Sequence, residues 1–360
     1  MEIKPDLMQC TDGTAVTAPT WPQRRQELYE TIVPHEYGGM PPRGEATEVL
    51  QLCRSKMRDW KDVEYHTYEV RTTFAEGEVS LTLSLWLPPG DGPFPVVLDG
   101  DGCWRYFNDK VVREILNRGN IAASFDRTEA AADNKDIYRN TGLYRLFPAA
   151  TFGALPAWAW AYHRCIDALA EMDAVRADGI AITGHSRGGK TVLLAGATDE
   201  RVALINPNNS GIGGSALNHL KAQGAEEVDS FFGSGNIFWF GQAFADHRHR
   251  DHELPYDQHF LHALVAPRLL LATEAYEDSG ANPPGSYAAC QAARTAYELL
   301  GAPENIGWAL REGGHTHSET DFKALLDFMD LHLHGRPVRR DFQRPLFPQL
   351  ETLLSPSRPN

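Results

Sequence analysis

The residue with the clearest chemical potential is a serine, Ser186, in the pattern Gly-x-Ser-x-Gly at 184–188. A short apolar run at 179–183 precedes this pattern, and a second run at 191–197 follows it. Between a strand and a helix, small flanking residues allow a sharp turn that lifts the serine hydroxyl above the sheet. The first N–H groups of the helix then face the same point and can stabilise an oxyanion. The pattern therefore predicts a nucleophile for acyl transfer.

A histidine late in the chain is the candidate general base. In serine hydrolases of this architecture the order along the chain is nucleophile, acid, base, and the histidine follows the last strand. An apolar run at 306–310 leads to a Gly-Gly turn and then to His315. Because this turn lets the imidazole approach Ser186, His315 is the preferred base, and His317 is its local alternative.

Three carboxylates compete for the role of triad acid. Glu274, Glu277 and Asp278 all follow an apolar run at 268–272. The acid must accept a hydrogen bond from the far ring nitrogen of the histidine, because this bond fixes the tautomer and stabilises the imidazolium. Glu274 lies close enough to the predicted strand to be partly buried, whereas Asp278 lies on the loop that can reach the base. Asp278 is therefore favoured, and the other two stay open.

A glycine-rich turn, Asp-Gly-Asp-Gly-Cys-Trp at 99–104, follows the apolar run 95–98. Hydrolases of this fold place their second oxyanion donor here, which would be a backbone N–H near Cys103. A tight turn without a catalytic role is the other interpretation, and the sequence does not decide between them.

The elements that must position these residues are short apolar strands alternating with helices. Besides the strand before Ser186, apolar runs lie at 95–98, 121–125, 202–205, 268–272 and 306–310. This alternation predicts a mostly parallel sheet covered by helices on both faces. With an antiparallel hairpin over 63–74 and 79–87 there are about eight strands. The class is the α/β-hydrolase fold.

Three segments are predicted along the chain. Residues 1–60, with a helix over 21–37, form an N-terminal arm packed on the main domain, because they are too few for a core of their own. Residues 61–335 form the hydrolase domain, in which the irregular stretch 214–255 is a cap-like insertion over the strand ends. The proline-rich segment 336–360 is a C-terminal surface tail.

The charge balance and the cysteines exclude several classes of partner and cofactor. With 34 basic and 48 acidic side chains the net charge is −14, which disfavours nucleic acids and anionic membranes. No apolar run approaches bilayer length, and the first residues lack a signal-peptide pattern. The five cysteines are scattered, so we expect free thiols and a cytoplasmic chain. No cofactor is expected, and no metal, because the histidines at 247, 249 and 252 lie in a charged, irregular loop.

Several motifs resemble those of one family. Residues 184–195, which begin Gly-His-Ser-Arg-Gly-Gly-Lys, are similar to the nucleophile motif of carbohydrate esterase family 15, the glucuronoyl esterases within the α/β-hydrolase fold. The resemblance covers roughly residues 20–335, with further similar motifs at 197–201, 208–214, 254–259, 266–268, 277–278, 314–315 and 321–322. It implies that Arg187 helps to stabilise the oxyanion, that Lys190 contacts sugar hydroxyls, and that Trp239 lines the sugar site.

One motif departs from the family pattern. Many members carry Gln-Glu-Ser-Gly after the strand that follows the elbow, and the glutamate is their catalytic acid or a sugar ligand. This chain has Asn208 and Asn209 there, as uncharged candidate substrate ligands. Since an amide cannot stabilise an imidazolium by charge, the acid role passes to the later loop, which favours Asp278. The resemblance therefore implies ester hydrolysis more strongly than it implies a glucuronoyl substrate.

We therefore expect a serine-dependent carboxylic ester hydrolase, similar to glucuronoyl esterases, that acts on a sugar-acid ester or another small ester. Catalysis would depend on Ser186, His315, Asp278 and Arg187. An acetyl or other short-chain carbohydrate esterase, or a lactonase, is the first alternative. A non-catalytic binding protein that keeps the α/β-hydrolase fold is the second.

Overall fold

The computed structural model describes residue 3 and residues 5–350 of the chain. Within these residues a single nine-stranded sheet runs through the molecule. Its strands are β1 (Ala46–Lys56), β2 (Glu64–Phe74), β3 (Gly77–Leu87), β4 (Phe94–Asp99), β5 (Ile121–Ser124), β6 (Val175–His185), β7 (Leu204–Asn208), β8 (Leu269–Ala275) and β9 (Ile306–Arg311). The predicted fold class is confirmed, with one strand more than the sequence indicates.

The sheet is parallel in the half that carries the predicted site. Its spatial order is β1-β2-β3-β5-β4-β6-β7-β8-β9. The pairs up to β3–β5 are antiparallel, and every later pair is parallel. Because the carboxyl ends of parallel strands meet at one edge, the residues that follow β4, β6, β8 and β9 are gathered there.

Helices cover both faces of the sheet. They are α1 (Trp21–Tyr37), α2 (Asp109–Asn117), α3 (Gly142–Leu146), α4 (Ala154–Ala170), α5 (Arg187–Thr198), α6 (Val228–Ser234), α7 (Gln242–Ala245), α8 (His259–Val265), α9 (Pro283–Leu299) and α10 (Glu319–His332). In β4, Val96 and Leu98 pack in the core that contains α4, α5 and α8, whereas Val97 packs in the core of α2 and α10. Burial on both faces explains why the central strands are continuous apolar runs in the sequence.

The edge strand β1 lies inside the segment predicted as an N-terminal arm. It pairs with β2 from Ala46↔Thr73 to Lys56↔Glu64, so the sheet begins before residue 60. Val49, Leu50 and Leu52 are 41%, 56% and 55% exposed, so no alternation of buried and exposed residues marks β1 as a strand. Backbone pairing with the hairpin, rather than burial, decides its conformation.

The predicted insertion contains α6, α7 and a 3-10 turn at Asn236–Trp239 between them. The tail is described as far as residue 350, and in it Phe342 and Phe347 are buried, so this part packs on the domain. Residues 351–360 of the predicted tail lie outside the described residues. None of the helices within residues 5–350 is both long enough and apolar enough to cross a bilayer.

Candidate active site

Ser186 occupies a sharp turn between β6 and α5. Its φ of 55° and ψ of −119° lie in a region that non-glycine residues rarely adopt, as expected of a nucleophile elbow. The two motif glycines permit the turn. A Cβ on Gly184 would lie 2.6 Å from the carbonyl oxygen of Gly188, and a Cβ on Gly188 would lie 2.3 Å from Asp101 Oδ1.

The acid and the base are brought together from the ends of two neighbouring strands. Asp278 follows β8 and His315 follows β9, and His315 Nδ1 lies 2.6 Å from Asp278 Oδ2. The ring centroids of His315 and His185 are 4.5 Å apart. Because His185 directly precedes Ser186, this contact places the base beside the nucleophile elbow. The hydrogen bond through Nδ1 leaves Nε2 to act on the serine proton.

The carboxylate of Asp278 has a second donor, Asn209. The Asn209 side-chain amide donates to the same oxygen, Asp278 Oδ2, over 2.6 Å. Burial raises the pKa of Asp278, but the hydrogen bonds from His315 and Asn209 outweigh it, and the pKa lies below its usual value. Asp278 is therefore ionised and able to stabilise the imidazolium.

The competing carboxylates differ from Asp278 in their surroundings. Glu277 is exposed to solvent. Glu274 is 5% exposed, and burial raises its pKa well above the usual value, which favours the neutral form over the charged form that a triad acid needs. Neither carboxylate hydrogen-bonds to His315 in the described chain.

His317, the alternative base, is a core residue. It is 5% exposed and stacks on Phe322, with ring centroids 4.0 Å apart. Burial lowers its pKa well below the usual value, so its ring is neutral. Within residues 5–350 neither ring nitrogen has a hydrogen-bond partner, which is consistent with a packing role.

Two sets of backbone N–H groups are suited to an oxyanion. The first N–H groups of α5, beginning with Arg187, have no acceptor within the helix. In the turn after β4, Gly102 N donates to Phe125 O, and the N–H groups of Trp104 and Arg105 donate to Asp101 O. The N–H of Cys103 makes no hydrogen bond within the described residues. The segment is thus a tight turn that also leaves a free donor.

The surroundings of the Cys103 thiol do not favour its thiolate form. Burial raises its pKa to about 11, although the nearby Arg127 guanidinium acts in the opposite direction. Arg127 donates to Cys103 Sγ over 3.0 Å. The thiol is therefore protonated at neutral pH, and the contribution expected from this residue is its backbone N–H.

Arg187 is fixed between rings and a carboxylate. Its Nη1 lies 3.1 Å from both Asp133 oxygens, and its guanidinium lies 4.4 Å from the centroid of the Trp239 ring. Trp239 donates from Nε1 to Asp133 over 3.3 Å and is only 4% exposed. In this structure the Trp239 ring supports Arg187, and its place at a sugar site stays a prediction.

Lys190, which is also a predicted substrate ligand, is buried. The Lys190 ammonium donates to the carbonyls of Ser210 and Ile212, the latter over 2.7 Å, and pairs with Glu226 at 3.5 Å. These contacts occupy all three donors of Lys190 and hold the loop after β7, and the contact with sugar hydroxyls stays a prediction.

Asn208 and Asn209 likewise face the protein interior. Asn208 Oδ1 lies 2.7 Å from His185 Nδ1, and its Nδ2 donates to the carbonyl of Thr273 over 3.2 Å. Asn209 donates to Asp278. Both side chains are buried because β7 lies between β6 and β8, and their partners follow from that position. Their role as substrate ligands stays a prediction.

Sequence reasoning missed the residues that support the oxyanion side of the site, namely Asp101, Arg127 and Asp133. Asp101 lies in the glycine-rich turn, so its position after β4 was an available signal. Arg127 and Asp133 follow β5, and their role depends on contacts between segments that no local pattern indicates.

Comparisons with known proteins agree with this geometry. A family model described as "Glucuronyl esterase, fungi" matches residues 70–301. A 4-O-methyl-glucuronoyl methylesterase 1 of Wolfiporia cocos is 31% identical over 325 residues, covering 87% of this chain and 76% of that protein. A 4-O-methyl-glucuronoyl methylesterase of Schizophyllum commune is 29% identical, covering 94% and 84%.

Similarity to a solved structure extends over nearly the whole chain. A carbohydrate esterase family 15 glucuronoyl esterase from Caldicellulosiruptor kristjansonii is 31% identical, with a TM-score of 0.83. The match covers 99% of this chain and 98% of that protein.

Proposed function

The chain belongs to the glucuronoyl esterase family, and on that premise we propose that it hydrolyses alkyl esters of glucuronic acid and its 4-O-methyl derivative. The observation that carries the proposal is the bonded pair of Asp278 and His315 beside the Ser186 elbow. The proposed substrate class is supported by the similarity to 4-O-methyl-glucuronoyl methylesterases.

The mechanism follows from this arrangement. Ser186 Oγ attacks the ester carbonyl carbon while His315 Nε2 accepts the hydroxyl proton, and Asp278 stabilises the imidazolium. The oxyanion accepts hydrogen bonds from the N–H groups of Arg187 and Cys103 and faces the Arg187 guanidinium. His315 then protonates the leaving alcohol. Water, deprotonated by His315, attacks the acyl-enzyme and releases the sugar acid with free Ser186.

A substrate panel tests the proposal. It compares methyl 4-O-methylglucuronate with methyl galacturonate, an acetylated xylose, a sugar lactone and nitrophenyl acetate. We expect kcat/KM for the glucuronate ester to exceed that for the galacturonate ester by about tenfold or more, the scale of discrimination by hydrogen bonds to a sugar hydroxyl. Ser186→Ala is the control for activity that does not come from the site.

One observation favours the alternative of a short-chain or acetyl esterase. Lys190, Trp239 and Asn208, which were expected to bind the sugar, are all buried. If kcat/KM is higher for the acetylated xylose than for both uronate esters, the glucuronoyl substrate is wrong and the acetyl esterase is right.

A non-catalytic role is tested separately by a fluorophosphonate probe. An esterase with an activated serine becomes covalently labelled, and Ser186→Ala abolishes the label. A wild-type chain that stays unlabelled would be a binding protein.

We keep the cytoplasmic location as a prediction. All five cysteines are unpaired, which is what a reducing compartment favours. Fractionation of the producing cells tests it, since recovery of the chain from the culture medium would contradict a cytoplasmic location.

A further inference from the structure

We infer that Asp133 is a positioning residue for Arg187, and that Asp133 and Arg127 together hold the Arg187 guanidinium where it faces the oxyanion. This inference depends on the proposed role of Arg187 in ester hydrolysis. The contacts that support it form a continuous network of four charged groups, Asp101, Arg127, Asp133 and Arg187.

The buried part of this network lies beneath the elbow. Arg127 is fully buried and donates from Nη1 to Asp101 Oδ1 over 2.8 Å. Asp101 in turn accepts, through Oδ2, the backbone N–H of His185 over 2.7 Å. Asp101 is thus bonded to the residue before Ser186 and also lies in the turn that supplies the Cys103 N–H. Any displacement of Arg127 would reach both oxyanion donors.

The outer part of this network connects the buried pair to Arg187. Arg127 donates from Nη2 to Asp133 Oδ2 over 3.1 Å, and Arg187 donates to the same carboxylate. The Asp133 side chain is 12% exposed and that of Arg187 is 29% exposed, so the network extends from the interior to the site. Two carboxylates alternate with two guanidinium groups, and the network is neutral as a whole.

Aromatic rings complete the confinement of both guanidinium groups. Arg127 lies 4.4 Å from the Trp104 ring centroid and 4.7 Å from that of Trp158. Arg187 lies 4.4 Å from the Trp239 centroid and 5.4 Å from that of Trp104. Planar guanidinium groups stack on rings and bond to carboxylates at their edges, so the two kinds of contact fix both position and orientation.

The energetic role of Asp133 follows from preorganisation. A free arginine side chain would lose rotamer entropy each time it met the oxyanion, whereas a guanidinium already held in place would not. Without the Asp133 charge, Arg127 and Arg187 would be like charges in a partly dry site, and the mobile Arg187 would move away. Arg187 would then be present but displaced from the transition state.

The test compares four variants on nitrophenyl acetate and on the best sugar ester. They are Asp133→Asn, Asp133→Glu, Arg187→Met and the double variant Asp133→Asn with Arg187→Met. Asp136→Asn is the matched control, because Asp136 is an exposed carboxylate on the same loop. Thermal unfolding of each variant separates a folding defect from a kinetic one.

We expect Arg187→Met to lower kcat about 100-fold, the scale of losing one oxyanion donor, and Asp133→Asn to lower it about 10-fold with little change in KM. Asp133→Glu should recover part of the loss, because it restores the charge. In the Arg187→Met background, Asp133→Asn should cause no further loss of kcat, because the group that it positions is absent.

Three results would overturn the inference. They are an unchanged kcat for Asp133→Asn, a loss that multiplies that of Arg187→Met in the double variant, and a rise in KM confined to the sugar ester, which would make Asp133 a substrate ligand. If Asp133→Asn does not fold, Trp239→Phe serves in its place. It removes the Nε1 donor to Asp133 and leaves a smaller ring beside Arg187, and its smaller loss of kcat should likewise vanish when Arg187 is absent.

The inference and the proposed substrate fail in different ways. A chain that hydrolyses nitrophenyl acetate but no glucuronate ester contradicts the proposed substrate, while the coupling of Asp133 and Arg187 can still be measured on nitrophenyl acetate.

Discussion

The Asn209 amide and the Asp278 carboxylate are joined by a 2.6 Å hydrogen bond, and this bond connects the end of β7 with the loop after β8. It ends on the same oxygen that accepts from His315. Asn209 adopts a φ of 44°, and its backbone N–H donates to Thr273 O over 3.0 Å. Residue 209 is therefore held so that its amide stabilises the charge of the triad acid.

The first prediction concerns that acid. Asp278→Asn should lower kcat about 10⁴-fold, because the amide leaves His315 in the wrong tautomer and without a counter-charge. Glu277→Gln is the matched control, because Glu277 lies next to Asp278 on the same loop. It should keep its activity because Glu277 is exposed. Loss of activity in Glu277→Gln or Glu274→Gln, with Asp278→Asn active, would show that the acid is assigned to the wrong residue.

A second prediction tests whether residue 209 can supply the acid. In the Asp278→Asn background, Asn209→Glu should recover part of the lost kcat, because its carboxylate enters the space beside residue 278 from which the amide now donates. Asn209→Gln in the same background has a similar length without the charge and should recover nothing. Equal recovery by both variants would mean that shape, not charge, matters.

The two histidines are expected to fail in different ways. His315→Ala should lose most of kcat while its unfolding temperature stays near that of the wild type, because His315 is half exposed. His317→Ala should lower the free energy of unfolding by about 3 kcal/mol, the scale for removing a buried ring, and its folded fraction should stay active. Urea unfolding and kcat on nitrophenyl acetate measure both, and a larger kcat loss in His317→Ala would exchange their roles.

Lys190 is predicted to be structural. Lys190→Met leaves the buried carbonyls of Ser210 and Ile212 without a donor, which should lower the free energy of unfolding by about 3 kcal/mol. Kinetic effects should be equal for a sugar ester and for nitrophenyl acetate. Lys110→Met removes an exposed lysine and should change neither quantity. A KM increase confined to the sugar ester would restore the role that the family resemblance implies.

A fifth prediction concerns pH and stability. Burial lowers the pKa of His262 from 6.5 to about 4. As the pH falls through this window, the unfolded chain binds a proton that the folded chain does not, so stability decreases by up to about 3 kcal/mol. His262→Gln should remove this decrease. His249→Gln, at an exposed position, is the control that should keep it.

The comparison between variants is necessary because another buried group acts in the opposite direction. Burial raises the pKa of Glu36 to about 7, so its contribution to stability decreases as the pH rises. Urea unfolding of the wild type, His262→Gln and His249→Gln is measured between pH 7 and pH 4, the window of these two pKa values. The difference between the curves gives the contribution of His262 to the free energy of unfolding. Parallel curves for wild type and His262→Gln would contradict it.

The sequence by itself determined the features that depend on neighbours along the chain. Ser186 was predictable because a strand, two small residues and a helix are contiguous, and their steric demands are local. The parallel strands were predictable because burial on both faces leaves continuous apolar runs, and His315 because the order of strands fixes which loops reach the carboxyl edge.

Only the tertiary structure decided the features that depend on contacts between distant segments. It separated Asp278 from Glu274 and Glu277, because a loop conformation and the reach of Asn209 determine which carboxylate meets His315. It also buried Lys190 and Trp239, which motif matching had placed at the substrate. Burial and ion pairing are sums over several segments, so a local pattern can identify a residue of suitable chemistry but not the groups that surround it.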